Sequence, residues 1–263
     1  MKKYLLLWHM FVVAGSVAFA QYDLSAGYTY SRPQQQMGTY IKQAHGLQFQ
    51  ALYNVPNSRL AVGAAIGFNG YGNQTTRQTY RFSDGSSTET DVLVSNSFTT
   101  FNAIARLDLL PAAIVTPYLT GQAGYTVYRT TLYIENPDDP DGCKPLENKA
   151  LLNDGAFSLS GGGGVRWDLS SIFKKAARER FFADLSALYT QGGSVSYMNV
   201  NIPATPATHQ HYPVPASSDV SSYNTRFINP DSQVVHEHHV GNVYSSYIRM
   251  LEFKLGFVYR ISR

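Results

Sequence analysis

One cysteine, Cys143, is all that the 263 residues contain, so an intramolecular disulfide is excluded. Small exported domains commonly depend on such cross-links, and this chain must be held together in another way. Charge is also scarce: 15% of residues are charged and the formal net charge is +3, too little to point to a polyanion partner. The 44% hydrophobic and 13% aromatic content excludes a disordered chain. No apolar run reaches the ~20 residues that a membrane-crossing helix needs. A helical period is missing from every stretch of ten or more residues, "SSIFKKAARER" (Ser170–Arg180) being the one partial exception.

What is present begins with residues 1–20, "MKKYLLLWHMFVVAGSVAFA", which read as a cleaved signal peptide. Lys2 and Lys3 form the basic start, Tyr4 to Val13 the short apolar stretch, and Ala18-Phe19-Ala20 an A-x-A cleavage site. Gln21 then opens the mature chain, and no cysteine follows the cleavage site to carry a lipid anchor. Loss of Lys2 and Lys3 lowers the formal charge from +3 to +1.

From Gln21 onward, alternation with a period of two runs through the chain, the pattern of half-buried strands. The closing segment "LEFKLGFVYRISR" sets Leu251, Phe253, Leu255, Phe257, Tyr259 and Ile261 on one face. Seven earlier runs behave alike: Leu24–Tyr30, Leu47–Tyr53, Leu60–Phe68, Phe101–Leu109, Leu119–Val127, Phe157–Leu169 and Phe181–Tyr189. The connections alternate in length. Asn54–Arg59, Leu110–Thr116 and Ser170–Arg180 are short, whereas Ser31–Lys42 and residues 70–95, 129–154 and 191–245 are long and polar. This predicts an all-β fold, an eight-stranded antiparallel up-and-down transmembrane β-barrel over residues 21–263, with long extracellular loops at about 70–95, 129–154 and 191–245.

Alternation does not say which face is outside. A soluble barrel would turn Leu251, Phe253 and Leu255 inward. Aromatic placement favours the inverse: Tyr28, Tyr30, Phe68, Phe101, Tyr125 and Tyr189 fall near one end of the strands, and Tyr53, Trp167, Phe181 and Tyr259 near the other. Two such belts suit two headgroup levels. Phe181 and Tyr189 are roughly 26 Å apart along a strand, about 20 Å after tilt, close to the height of a bilayer's apolar band. The opposite face carries Arg106, Asp108, Arg166, Asp168, Asp184, Glu252, Lys254 and Arg260 together with Gly27, Gly63, Gly67 and Gly256. Such residues fit the lumen of eight strands, just wide enough for side chains to fill. The sequence predicts a polar filled interior, which excludes a general diffusion pore.

Phrases such as "GGGGVRWDL" (Gly161–Leu169) and "LEFKLGFVYR" (Leu251–Arg260) make the chain resemble the small outer-membrane barrels of the OmpA and OmpX kind. The carboxy-terminal aromatic signal departs from the usual form, because Arg263 rather than Phe is last. The resemblance implies an integral protein of the bacterial outer membrane with a structural or surface-interaction role, non-enzymatic and without cofactor. It also implies protruding strand edges able to bind foreign surfaces. Asp84-Gly85 is a good two-residue hairpin turn and predicts that strands three and four continue as a ribbon above the membrane. Expected partners are outer-membrane lipids and lipopolysaccharide, with host or cell-surface proteins or an envelope complex beyond them; nucleic acid is not expected. Alternatives are an accessory subunit of a larger secretion or uptake complex, and a lipid-modifying enzyme.

Candidate residues for chemistry are few, and no catalytic, metal or cofactor residue is assigned. Barrels resembling PagL use a lipid-facing His two residues before a Ser; His45 has the face and depth, but Leu47 stands where Ser is needed. The loop with "ENPDDPDGCKPLEN" has Pro137 where a calcium loop needs an acid or amide, and Cys143 at its tip reads as an unpaired thiol. His209, His211, His236, His238 and His239 gather in one loop; imidazole suits zinc and copper, but no spacing fixes a ligand set. Arg249, on the lipid face near the rim, is the best single contact for a lipopolysaccharide phosphate.

Overall fold

The computed structural model describes residues 21–81, 87–110, 114–136, 145–169, 179–199, 220–228 and 235–262, the side chains of 76, 78–88, 179–180, 199, 220–242 and 262 excepted. The signal segment, Asp84-Gly85, Pro137, Cys143, His209 and His211 lie outside the described residues, as do the side chains of His236, His238 and His239. Of Ser170–Arg180, only Glu179 and Arg180 are described, as strand.

Among the described residues, nine strands and one short helix follow one another: β1 (Gln21–Pro33), α1 (Gln35–Tyr40), β2 (Ala44–Asn54), β3 (Leu60–Arg81), β4 (Ser87–Asp108), β5 (Val115–Ile134), β6 (Glu147–Asp168), β7 (Glu179–Asn199), β8 (Val220–Ile228) and β9 (Val235–Ser262). Each of β1 to β6 pairs antiparallel with the next, β7 pairs with β9, and β9 returns to β1. The closing ladder runs from Gln21↔Ser262 to Pro33↔Met250. Eight strands therefore form a closed wall, and closure removes the edges that a flat sheet would expose. β8 pairs only on the far side of β9, along its upper part. "Lower" denotes below the end with the chain termini and short turns, "upper" the opposite end.

In the lower part the alternation resolves as the aromatic belts suggest. Leu24, Phe49, Leu119, Leu185, Leu255 and Phe257 point outward, Leu255 being 60% and Phe257 66% exposed. Asp23, Arg106, Arg166, Asp184 and Lys254 are buried inside. An apolar outer band around a polar lumen is the surface of a membrane-spanning barrel. Close approach is needed where the wall closes. Gly27 and Gly256 face each other across β1 and β9, and a Cβ on Gly256 would lie 2.5 Å from the Ala26 carbonyl oxygen.

The strands run well past the segments expected from sequence. β5, β6, β7 and β9 extend far into the stretches expected as loops at 129–154 and 191–245, and β8 lies wholly within the second. The expected ribbon is present: β3 and β4 stay paired from Leu60↔Leu107 to Arg81↔Ser87. Along these extensions the two faces exchange character. Phe98, Val94 and Val92 of β4, Tyr128, Leu132 and Ile134 of β5, and Met250 and Ile248 of β9 point inward and are buried.

Three bulges in the wall add to this. Tyr71 is an extra residue between Gly70 and Gly72 of β3, Leu151 is skipped in the ladder to β5, and Gly192-Gly193 oppose the single Ile248. A bulge re-aims the side chains beyond it. Here Tyr71, Leu151, Val195 and Tyr197 all turn into the interior. The interior is thus charged and polar in the lower part and mainly apolar above it, where Asn96 and Thr130 are buried among the apolar side chains. The physical reason is a change of solvent: where lipid ends and water begins, the inside becomes the dry side.

Candidate functional site

The lower lumen is organised by Asp23, which alternation places on the polar face of β1 without marking it as the centre of the charged set. Its carboxylate accepts hydrogen bonds from Arg260 Nε at 2.7 Å and Nη2 at 2.9 Å, from Arg106 Nη2 at 2.6 Å and from Arg166 Nη1 at 3.1 Å. Asp108 accepts from Arg106 Nε at 3.1 Å and Arg166 Nη2 at 2.5 Å. The Phe182 ring lies 5.3 Å from the Arg166 guanidinium and 5.1 Å from that of Arg260. One level up, Asp184 receives Lys254 Nζ at 2.8 Å and the Tyr118 hydroxyl at 2.7 Å, and Glu252 pairs with the Thr190 hydroxyl. Buried ions persist only when paired and hydrogen-bonded, and Arg166 is held in this way at 2% exposure. A cavity of about 10 Å³ beside Tyr118, Gln50 and Lys254 has room for about one water.

Above the network an aromatic plug fills the lumen. Phe98 and Tyr128 rings sit 5.2 Å apart, Tyr71 and Tyr128 5.9 Å, and Tyr128 and Tyr197 6.1 Å. Met37 of α1 and Ile41 just after it cap the plug, both buried, and Tyr40 stacks on Tyr244. The Tyr128 hydroxyl, with one proton to donate, lies within reach of the sulfurs of Met37 at 3.6 Å and Met250 at 3.7 Å. The Tyr197 hydroxyl shares a hydrogen bond with Ser246, and burial pushes its pKa up to about 12, so it is neutral at physiological pH. Among the described residues, ions fill the lower lumen and rings the upper.

The upper end presents a different arrangement. There β3, β4, β5 and β6 form one sheet that packs Val92, Val94, Leu132, Ile134 and Leu151 against Met198 of β7 and Val243 of β9. The ladder between β6 and β7 stops at Ser158↔Gly192; beyond it Asp154 bridges the strands by accepting the Ser196 N–H at 2.7 Å. β2 pairs with β3 only as far as His45↔Gly70. Among the described residues, the β3 edge above that point has no strand beside it. Its exposed side chains are polar: Asn73, held by the Ser95 hydroxyl at 2.9 Å, Thr75, and Arg77, which pairs with Glu89 at 2.9 Å.

The remaining sequence candidates sit on the outer face. His45 Nδ1 pairs with the Tyr28 hydroxyl, and its ring lies 5.3 Å from that of Tyr30; its partner is a phenol, and Leu47 is exposed to the outside. Arg249 points outward between inward Ile248 and Met250, and its guanidinium donates to Gln35 Oε1.

No protein-family model matches the chain, and no curated protein matches it. Among solved structures it is similar to Neisserial surface protein A, with 10% identity and a TM-score of 0.42, over 93% of this chain and 97% of that one. It is also similar to Ail, the attachment invasion locus protein of Yersinia pestis, with 13% identity and a TM-score of 0.38, over 92% and 99%. A third is the outer membrane protein OprG from Pseudomonas aeruginosa, with 10% identity and a TM-score of 0.36, over 93% and 97%. These likenesses concern shape and say nothing of ligands. The closed wall of eight antiparallel strands with an apolar outer band is the architecture of small outer-membrane barrels.

Proposed function

We propose that the protein is a non-enzymatic integral barrel of the bacterial outer membrane that meets a partner through the upper edge of β3. The upper end faces the outside of the cell, as the long extensions of such barrels do. The observation that carries this reading is the unequal height of the wall: β1 ends at Pro33 and β2 begins at Ala44, while the β3–β4 ladder climbs to Arg81↔Ser87. An unpaired strand edge in water is a template for an added strand, and an extended peptide of a partner protein docks on such an edge through main-chain hydrogen bonds. The charged network and aromatic plug that occupy the lumen among the described residues support the same reading.

Single prolines placed through residues 73–77 test it in cells scored for attachment to a surface coated with extracellular-matrix protein. In a strand, alternate N–H groups point to opposite sides, and proline removes a donor. Attachment is expected to fall at every second position while the detergent-extracted barrel keeps its faster migration without boiling. Equal attachment across the scan overturns the reading. A photocrosslinker at Thr75 that captures one stoichiometric envelope protein instead assigns the accessory-subunit role.

A further inference from the structure

The outer face where β9 closes on β1 is one-sided in charge. Arg32 lies opposite Leu251, which lies opposite Tyr189. One step higher, the Gln34 N–H donates to the Arg249 carbonyl at 2.8 Å. Arg32 stands outward between buried Ser31 and Pro33, and Arg249 outward between buried Ile248 and Met250. They are diagonal neighbours on one face of adjacent strands, within reach of a shared small ligand for side chains of that length.

Their depth is set by the rings. Tyr30 sits two residues below Arg32, pairs with Phe253 in the ladder and stacks on it at 6.5 Å. Two residues along a strand span roughly 7 Å, so Arg32 stands about 7 Å and Arg249, four residues from Phe253, about 13 Å along the strands beyond this ring pair, at the height of lipid headgroups. Arg249 uses one donor on Gln35, and a guanidinium has five. Among the described residues, the outward side chains at 22–32 of β1, 45–53 of β2, 181–191 of β7 and 247–261 of β9 include no Asp or Glu.

We propose that Arg32 and Arg249 form a binding site for a phosphate group on a lipid headgroup of the outer leaflet, with the lipid's acyl chains lying on the apolar wall below. Two guanidinium forks match the oxygen geometry of a phosphate, and the carboxylate-free face leaves that anion unopposed. The site rests on the outer-membrane reading given above.

The test uses the full barrel in detergent and native mass spectrometry to count retained lipid. The probes are bisphosphorylated lipid A, the same lipid with its phosphates removed, and inorganic phosphate. Bisphosphorylated lipid A is expected to stay bound and the dephosphorylated form to be lost. R32Q/R249Q should cut retention by at least about tenfold, while R129Q, which removes an exposed cation of β5, leaves it unchanged. R32Q alone keeps the test valid should loss of the Arg249 contact with Gln35 disturb α1. Equal retention by wild type and R32Q/R249Q overturns the proposal, and so does displacement of lipid A by submillimolar inorganic phosphate, which would make this a site for the free ion. Failure of the outer-membrane reading itself would look different, as wild-type protein lacking the fast-migrating unboiled band.

Discussion

The lower and upper halves of this barrel share strands but obey opposite rules. On β4, Phe101, Ala103 and Leu107 face out while Arg106 and Asp108 face in. A few residues earlier on the same strand, Phe98, Val94 and Val92 face in and Thr99, Ser97 and Ser95 face out. β5 makes the same exchange between outward Val127 and inward Tyr128, and β9 between outward Leu251 and inward Met250. Nothing in the backbone demands it, since the ladders continue through the change. The strand reports its solvent: hydrocarbon outside calls for a polar lumen, and water outside calls for an apolar one.

The largest expected effect breaks the lower rule. Asp23→Ala leaves Arg106, Arg166 and Arg260 facing one another around the vacated carboxylate, and stranding buried charge costs about 3–5 kcal/mol. Urea unfolding in lipid vesicles should show that loss, and a midpoint within error of wild type would mean that the network is hydrated rather than buried. The next effect contrasts the two outer faces directly. Leu255→Arg puts a cation against mid-bilayer hydrocarbon at roughly 2–4 kcal/mol, whereas a lumen or water-facing position escapes that penalty. Thr131→Arg, outward on the upper part of β5, should change stability by less than about 0.5 kcal/mol. Equal costs at the two positions would remove the membrane boundary from between them.

This exchange also explains what could be read from sequence. All eight wall strands were legible in the lower half, because alternation keeps one phase there and ends in aromatic belts. The upper interior was not, because its apolar residues sit on the opposite parity and the stretches look like polar loops with stray hydrophobics. A signal does exist in the apolar doublets Val127-Tyr128 and Met250-Leu251, where one phase hands over to the other. The bulges at Tyr71, Leu151 and Gly192-Gly193 hid the rest, since an extra residue shifts the phase again. The central role of Asp23 was not legible for a different reason. Its importance comes from partners 83, 143 and 237 residues away, a convergence that only closure of the barrel creates.

The smallest expected effect lies at the top of the ribbon and separates ion pairs by environment. Arg77 and Glu89 meet at 2.9 Å with side chains 71% and 64% exposed, whereas Arg106 and Asp23 meet at 2.6 Å with 5% and 1%. Exposed pairs contribute about 0.2–1 kcal/mol and are screened by salt. Arg77→Ala should therefore shift the urea midpoint by an amount near the detection limit, and the shift should vanish in about 1 M salt, where the screening length falls to ~3 Å. The Asp23→Ala loss should persist there, because the lumen admits little electrolyte. A salt-sensitive Asp23→Ala loss, or a salt-insensitive Arg77→Ala one, would mean that burial does not divide the two halves as their side-chain packing indicates.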